Sequence, residues 1–495
     1  MGYPVTPPPG VMSNGTEYSR KGRWIDSNLI RWVEGIARPV GGWERLLVDE
    51  VPGDPIAAFA FSRNSGLKVL VIGTTTGVYI FDGTLSEITP VGFVSPSLNG
   101  NTGFGWGAGL FGVGLHGTRR ATSKLPLPSY KYFFDAWGEE LIFHCNSDGK
   151  IYKLAAADSS GVRIPNSPAG CAGVIVTDER HILALGAGGE FNRIEWCDRE
   201  NYSEWLPEIT NLAGGLSLGS SCGLIDAVKW RGAVVAFTSS GLYQVRYLGA
   251  PLVYGATKIT DCSAPVSPRC TVVTPRAIVW IGSGGITAYD GMLSAVPCPV
   301  WDFYALNVNS SVEAAVCGGH NSYSSEVWWF FPSGESRVPD RYMIWNYRED
   351  LWSVGYFGRS AWIDSGAFRH PIALTAEGTV LQHETFSLGR AFGIGSAEPY
   401  LLSAPMDVAG GADSVTITRL IPDEAADCSS LLKYTIIGRQ APGAQDVPFG
   451  PYSMVNGKID TRATARQFKL RIVGPTDSDF GVGTVMAEIK RRGRR

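Results

Sequence analysis

Residues 107–112 read GAGLFG, which matches the G-x-G-x-x-G pattern of dinucleotide-binding loops. That pattern binds a pyrophosphate where a buried strand leads into the first glycine and a helix begins at the third. Here no apolar run precedes the motif, and glycines and prolines interrupt the residues that follow it. About twenty residues further on, where a ribose-binding acid would stand, the chain reads Lys131-Tyr132-Phe133. We therefore interpret the stretch as a glycine-rich structural loop.

A second motif, GLSLG at residues 215–219, matches the nucleophile elbow of serine hydrolases. Ser217 could in principle form a triad with His320 and with either Asp290 or Asp302, in the chain order Ser, Asp, His. The elbow requires a strand-to-helix turn, whereas the sequence after this motif continues as loop or strand. The motif therefore does not predict an acyl-transfer site.

Metal-binding patterns are absent from the sequence. The six histidines show no metal-ligand spacing, and His383-Glu384 lacks the second histidine of a zinc-protease helix. Asp477 and Asp479 resemble the start of a calcium loop without its later acidic ligands. The nine cysteines include no C-x-x-C pair, which favours buried free thiols over disulfides or a zinc cage. We expect no metal, no cofactor and no enzymatic activity.

Charge is distributed unevenly along the chain. The formal net charge is −3, but the final six residues, KRRGRR, contribute +5, so residues 1–489 carry −8. Proteins that grip DNA usually spread lysine and arginine over the folded part, so we expect the folded body not to bind DNA. The tail either is a solvated terminus or is an electrostatic anchor onto an acidic neighbour or onto nucleic acid. The second reading assigns that contact to Arg491, Arg492, Arg494 and Arg495.

The N-terminal residues 1–15 have neither a basic start nor an apolar segment typical of a secretion signal. No apolar run approaches the length of about 18 residues that a membrane span requires. The sequence therefore predicts synthesis in a cytosol and no membrane span.

Between residues 55 and 386 one pattern recurs: an apolar strand, a short turn centred on glycine, and a strand rich in β-branched and aromatic residues. Each repeat predicts a β-hairpin. The repeats are residues 67–83, 139–154, 233–249, 277–291, 326–347 and 371–384, with a related pair at 173–186 and 192–198. Helical periodicity is confined to brief candidates at residues 27–35 and 300–308.

The turn glycines give the repeat its period. Gly241, Gly285, Gly334 and Gly378 are 44, 49 and 44 residues apart, which is typical of a four-stranded propeller blade. The sequence therefore predicts a β-propeller.

One interval is longer than the others, because Gly77 and Gly149 are 72 residues apart. The excess indicates a glycine-rich insert at residues 91–129, between two blades. Three aromatic residues of the insert, Phe104, Trp106 and Phe111, are candidates for contacts with a neighbouring subunit or with a channel; a surface loop without a partner is the alternative.

After about residue 390 the pattern changes to longer strands, and Phe468, Leu470 and Ile472 alternate with basic residues. The predicted fold class is all-β. It comprises an extended N-terminal segment (1–50), a propeller of about six or seven blades (51–390) and a small C-terminal β-sandwich or barrel with a basic tail (391–495).

Several stretches, taken in order, resemble the β-propeller tail proteins of short-tailed bacteriophages, the tail nozzle or tail tubular family. They are residues 22–43, 103–117, 135–154, 193–215, 296–309, 326–333 and 348–366, with a looser similarity at 459–474 and 480–483. The chain departs from the family in the insert, where it reads GLFGVGLHG in place of a more tryptophan-rich stretch.

The resemblance implies a structural virion protein, made in the host bacterial cytoplasm and located in the phage tail. It implies a nozzle: a hexameric ring of identical subunits that extends the portal–adaptor channel and conducts DNA ejection. The implied partners are further copies of the chain, the head-to-tail adaptor protein, and tail fibres or other tail proteins. Genomic DNA would pass through the channel without specific binding.

The alternative is a carbohydrate-binding or carbohydrate-cleaving propeller used in host recognition. Propellers can gather carboxylates at their central channel, and the 15 tryptophans would suit stacking on sugar rings. The repeated aspartate box of sialidases does not recur in this sequence.

Overall fold

The computed structural model describes residues 2–97, 129–219, 223–385, 398–408, 413–424, 432–476 and 478–492. These residues form two bodies, a β-propeller and a β-sandwich, whose regular secondary structure is almost entirely β-strand. The N-terminal strands belong to both bodies. They are β1 (Gly2–Pro4), β2 (Trp24–Asn28), β3 (Ile30–Val33), β4 (Ile36–Pro39) and β5 (Trp43–Arg45).

Seven four-stranded antiparallel sheets form the blades of the propeller, which agrees with the predicted fold class. Blade 1 contains β6 (Pro55–Ser62), β7 (Lys68–Thr74), β8 (Val78–Phe81) and β9 (Leu85–Glu87), and blade 2 contains β10 (Tyr132–Trp137), β11 (Glu140–Cys145), β12 (Ile151–Leu154) and β13 (Val162–Arg163). Blade 3 contains β14 (Gly173–Val176), β15 (Ile182–Leu185), β16 (Arg193–Trp196) and β17 (Gly214–Ser217). Blade 4 contains β18 (Leu224–Trp230), β19 (Ala233–Thr238), β20 (Gly241–Gly249) and β21 (Val253–Asp261).

Blades 5 to 7 follow in the same order. Blade 5 contains β22 (Val272–Val273), β23 (Ile278–Gly282), β24 (Gly285–Tyr289) and β25 (Leu293–Val296). Blade 6 contains β26 (Cys317–Asn321), β27 (Glu326–Phe331), β28 (Arg341–Asn346) and β29 (Leu351–Gly355). Blade 7 contains β30 (Ala361–Ile363), β31 (Ile372–Leu374) and β32 (Val380–His383), together with β5. The described helical segments are α1 (Trp301–Ala305) and two 3₁₀ turns, Ala187–Gly189 and Ser310–Ala315.

The six predicted hairpins are the second and third strands of blades 1, 2, 4, 5, 6 and 7. These central strands are apolar because both of their faces are covered by neighbouring blades; every residue of β27 is buried, for example. Their turns need glycine where the backbone is left-handed or crowded. Gly378, with φ at 90°, is such a position, since a Cβ there would lie 2.2 Å from the carbonyl oxygen of Val51.

The innermost strands of most neighbouring blades contact one another around the axis, and β30 of blade 7 contacts β6 of blade 1. Strand β5 closes this ring as the outermost strand of blade 7, where Trp43 pairs with His383 and Arg45 with Leu381. The ring is thus completed by hydrogen bonds between segments more than three hundred residues apart in sequence.

The remaining strands form the sandwich. They are β33 (Tyr400–Ser403), β34 (Met406–Asp407), β35 (Val415–Glu424), β36 (Lys433–Arg439), β37 (Val447–Tyr452), β38 (Ile459–Ala465), β39 (Gln467–Val473) and β40 (Val482–Arg491). One sheet has the order β3-β4-β40-β35-β38 with β1 beside β40, and the other has the order β2-β33-β39-β36-β37 with β34 beside β39. In β39, Phe468, Leu470 and Ile472 are buried as the alternation predicts.

Residues 1–50 are therefore not a separate extended segment, because their strands belong to both sandwich sheets and to blade 7. Residues 27–35, a helical candidate, form parts of β2 and β3 instead. The left-handed backbone of Leu29 (φ 54°) and Glu34 (φ 52°) breaks a helix there. The second candidate does contain a helix, α1.

Sandwich and propeller share one hydrophobic core, which joins blades 4 to 6 to both sandwich sheets. Trp352 in β29 stacks on Trp329 with ring centroids 6.2 Å apart, and its carbonyl accepts a 3.2 Å bond from the indole of Trp32 in β3. The outermost strand of blade 6 thus packs against β2 and β3.

Strand order assigns the loops to two faces of the propeller. Loops between the first and second and between the third and fourth strands of a blade lie on one face, which we call face 1. Loops between the second and third strands, and between one blade and the next, lie on face 2. The predicted insert joins blades 1 and 2 on face 2, and its residues 98–128 lie outside the described residues.

Closure by β5 makes a testable prediction about Trp43. Its ring is buried, lies 5.1 Å from that of Phe357 and sits under the guanidinium of Arg359 at 4.6 Å. Trp43→Ala should lower the free energy of unfolding by about 3–5 kcal/mol, whereas Glu44→Ala, at the exposed neighbouring position, should change it by less than about 0.5 kcal/mol. Urea unfolding followed by circular dichroism measures both. Equal effects of the two substitutions would contradict this role for β5.

Candidate functional site

Several of the residues proposed from sequence lie outside the described residues. These are Phe104, Trp106, Phe111, Arg494 and Arg495. Of the basic tail, Arg491 ends β40 opposite Val415, and the backbone N–H of Arg492 donates to the carbonyl of Ser414 at 2.9 Å. Both arginine side chains are exposed. The tail therefore starts from a sandwich strand, and its described residues 490–492 are exposed to solvent.

The structure does not assemble the serine triad considered from sequence. Ser217 ends the outermost strand of blade 3, and Asp302 caps the N-terminal segment by accepting the N–H of Gly15 at 2.8 Å. His320 instead binds Asp364, with Nδ1 2.8 Å from Oδ2, and its Nε2 lies 3.0 Å from the hydroxyl of Tyr347. The GLSLG motif is thus a blade strand.

The seven cysteines in the described part of the chain are free, and five of them are buried. Burial raises the pKa of the Cys145 thiol to about 11 and that of Cys270 to about 12. A thiol must lose its proton to act as a nucleophile or metal ligand, so these cysteines are unreactive near neutral pH. Within the described residues no group of three or more His, Cys, Asp or Glu could hold a metal ion.

The axis of the propeller contains a cavity of about 400 Å³, lined by the innermost strands of the blades. Lys131, at the start of blade 2, reaches across the face 2 end of this cavity. Its Nζ lies 2.5 Å from Oδ1 of Asp226 in blade 4. The same Nζ donates to the carbonyl of Pro268 at 3.0 Å. Burial raises the pKa of Asp226, although Lys131 opposes the shift. This pair connects two blades that are not adjacent.

Arg269 completes the closure of the face 2 end. It lies in the loop between blades 4 and 5, and its Nη1 donates to the carbonyl of Ile56 in blade 1 at 3.1 Å. Its Nη2 donates to the carbonyl of Ala314, before blade 6, at 3.2 Å. Since blade 1 lies opposite this loop in a ring of seven, the arginine side chain spans the axis.

Towards face 1 the cavity contains a second ion pair. Nζ of Lys229 in blade 4 lies 2.7 Å from Oδ2 of Asp135 in blade 2, and the same carboxylate accepts the backbone N–H of Val176 at 3.0 Å. A DNA duplex, whose major groove alone is about 12 Å wide, does not fit a cavity that single side chains span. The propeller axis is therefore not a path for DNA.

A second charged cluster joins the sandwich to blades 6 and 7. Arg31 in β3 binds Glu384, after β32, through bonds of 2.8 and 2.5 Å, and it binds Glu326 in β27 at 3.0 Å. All three side chains are at most 4% exposed. Asn321 donates to Glu384 at 2.9 Å, and Trp328 donates to Glu326 at 2.9 Å. We call these five residues the Arg31 cluster.

One guanidinium in this cluster faces two carboxylates. Burial raises the pKa of Glu326 to about 7, with Arg31 opposing the shift and Glu384 adding to it. The two carboxylates raise the pKa of Arg31 despite its burial, so the arginine stays charged. Breaking such a pair by removing one partner typically costs about 3–5 kcal/mol, because a charge is left buried and uncompensated.

Sequence analysis did not select Lys131, Asp226, Arg269 or the Arg31 cluster. The available signal was a charged residue inside an apolar strand, as in LIRWV around Arg31 and LIDAV around Asp226. Such a residue needs a buried partner, but the sequence does not say which one. The partners lie 95 residues away for Lys131 and Asp226, and 353 residues away for Arg31 and Glu384.

No protein-family model matches the chain, and no curated protein matches it in sequence. Solved structures with a similar fold include the WD40 domain of Pan2 from Neurospora crassa, at 12% identity and a TM-score of 0.42, covering 70% of this chain and 96% of that one. The Cps50 (Swd1) β-propeller domain from Myceliophteria thermophila has 10% identity and a TM-score of 0.38, with coverages of 69% and 99%.

A third similar structure is virginiamycin B lyase from Staphylococcus aureus, in a catalytically inactive form with quinupristin. It has 8% identity and a TM-score of 0.33, with coverages of 56% of this chain and 96% of that one. One fold carries many unrelated activities, so function depends on the site. Among the described residues, no helix is long and apolar enough to cross a membrane.

The raised pKa of Glu326 predicts a pH dependence of stability. Between its ordinary value of 4.5 and about 7, the folded protein retains a proton that the unfolded chain releases. The free energy of unfolding should therefore fall, by about 3 kcal/mol from this group, as the pH rises through that interval. Urea unfolding at several pH values should show this decrease in the free energy of unfolding in the native protein but not in Glu326→Gln. The same decrease in both proteins would contradict the assignment.

Close packing at Gly41 predicts a second effect on the Arg31 cluster. A Cβ on Gly41 would lie 1.9 Å from Oε2 of Glu384 and 2.9 Å from its Cα, so Gly41→Ala must displace the carboxylate. We expect a loss of about 3 kcal/mol or more in the free energy of unfolding. Gly284→Ala is the control, because no atom lies within 4 Å of its Cβ. Thermal unfolding measures the melting temperature of each variant. Equal melting temperatures for Gly41→Ala and Gly284→Ala would contradict the predicted clash.

Proposed function

We propose that the protein is a non-enzymatic structural component of a bacteriophage tail, a subunit of the nozzle ring that extends the portal–adaptor channel. The sequence resemblance to tail nozzle proteins suggests this role. The observation that carries the proposal is the N-terminal segment, whose strands complete both the sandwich and the propeller. It suits a subunit that must transmit force without changing shape.

A ring through which DNA is ejected must resist forces between its subunits and between their domains. In this chain, separating the sandwich from blade 7 would require breaking the pairing of β5 with β32, or that of β2 to β4 with the sandwich strands. Between β4 and β5 only three residues intervene. The two bodies therefore move as one unit, which favours a load-bearing role over that of a hinged binding module.

The electrostatics fit a conduit that does not retain DNA. Side chains cross the propeller axis, so a passage would have to lie between copies of the chain, with their outer surfaces as its wall. Outside the basic tail the chain carries −8, and a negative wall repels a polyanion within the Debye length of about 8 Å at physiological salt. DNA would then slide past the wall without binding to it.

The proposal predicts assembly. Light scattering coupled to size-exclusion chromatography, and negative-stain microscopy, should reveal closed rings of the full chain, hexameric as in the resembling family, alone or after mixing with portal–adaptor complexes of the same phage. Trp43→Ala serves as the matched control, because a propeller that no longer closes should fail to assemble.

Two results would contradict the proposal. One is a chain that stays monomeric and does not bind portal–adaptor complexes. The other is specific binding on a glycan array, or release of sugar from host surface polysaccharide, which would favour the carbohydrate-recognition alternative. A filter-binding assay adds a check, since tight DNA binding at physiological salt would be incompatible with a passive conduit.

A further inference from the structure

Among the residues that the structure describes, the central cavity contains one cationic side chain that no carboxylate neutralises. Lys131 is paired with Asp226 and Lys229 with Asp135, each at 2.7 Å or less. Arg269 has no carboxylate partner among the described residues, and its hydrogen bonds go to two backbone carbonyls. The described charged groups of the cavity therefore sum to one excess positive charge, located where Arg269 spans the axis.

The guanidinium of Arg269 also has donors to spare. A guanidinium has five N–H groups, and the two carbonyls account for two of them. The Nε atom is enclosed and has no acceptor in the described structure. Burial lowers the pKa of Arg269, which reflects the cost of holding this charge without a counter-ion. An anion in the cavity would remove that cost.

The surroundings favour an anion with oxygen donors. Two of the three unused N–H groups on this planar guanidinium can match two oxygens of a carboxylate or phosphate group. Phe133 and Phe134 line the same cavity, and apolar walls strengthen an electrostatic contact by excluding water. A volume of about 400 Å³ has room for such an ion with part of its hydration shell.

We propose that the axial cavity is a binding site for a small oxyanion, held by the guanidinium of Arg269 beside the ammonium of Lys131. The bound ion neutralises the excess charge at the point where blades 1, 4, 5 and 6 are connected. It therefore strengthens the closure of the propeller. This proposal concerns the propeller alone and does not depend on the tail function.

Titration calorimetry of the full chain with inorganic phosphate, in a buffer free of other oxyanions, tests the proposal. We expect one ion per chain and a rise in melting temperature with phosphate. Arg269→Gln should bind at least about tenfold more weakly, since it loses a charge-assisted contact. Arg276→Gln is the matched control: this exposed arginine also donates to a carbonyl, that of Tyr347 at 3.2 Å, but lies outside the cavity. It should bind phosphate as the native protein does.

Acetate titrated in the same way identifies the preferred oxyanion. Tighter binding of phosphate or of acetate would each support the site, whereas no binding of either, or equal binding by Arg269→Gln, would overturn it. Should Arg269→Gln fail to fold, the native protein still decides the matter. Crystals soaked in selenate should show anomalous density within hydrogen-bonding distance of the Arg269 guanidinium, and density elsewhere only would refute the assignment.

Discussion

The main-chain pairing of β5 with β32 determines much of the remaining architecture. A ring of blades leaves one blade incomplete unless a strand from the other end of the propeller sequence joins it, and here that strand precedes blade 1. Because β5 follows β4 after three residues, the sheet that contains β4 must lie beside blade 7. The position of the sandwich is thus fixed by closure of the propeller.

The Arg31 cluster makes this arrangement specific. Glu326 and Glu384 belong to blades 6 and 7, and burying both without Arg31 would leave two carboxylates desolvated beside each other. The arginine is delivered by β3, so the charges are compensated when the sandwich is docked. A buried ion pair contributes little net stability compared with apolar packing, but it strongly penalises alternative dockings that separate the charges. Packing of Trp32 against Trp352 supplies the apolar part of the same interface.

Sequence predicted the local part of this fold well and the non-local part poorly. The blade hairpins could be recognised because each one is an apolar pair of strands around a turn that needs glycine, as at Gly378. The roles of β1 to β5 could not be recognised from the sequence, because a short strand does not reveal a pairing partner more than three hundred residues away. The axial and interdomain charges were missed for the same reason. Of the proposed contact residues, Arg491 and Arg492 are exposed at the end of β40, and this position alone does not identify what they bind.

The side chains that cross the propeller axis constrain any function as a conduit. Lys131 and Arg269 connect blades across the cavity, so opening the axis would break several buried polar contacts at once. Under the proposed function, a passage for DNA would therefore lie between subunits, formed by surfaces outside the propeller axis. In that arrangement the rigidity of each subunit would limit how far the passage can widen, because the paired N-terminal strands join blade 7 to the sandwich. The strands that close the propeller would then also hold the bore of the ring constant while DNA moves through it.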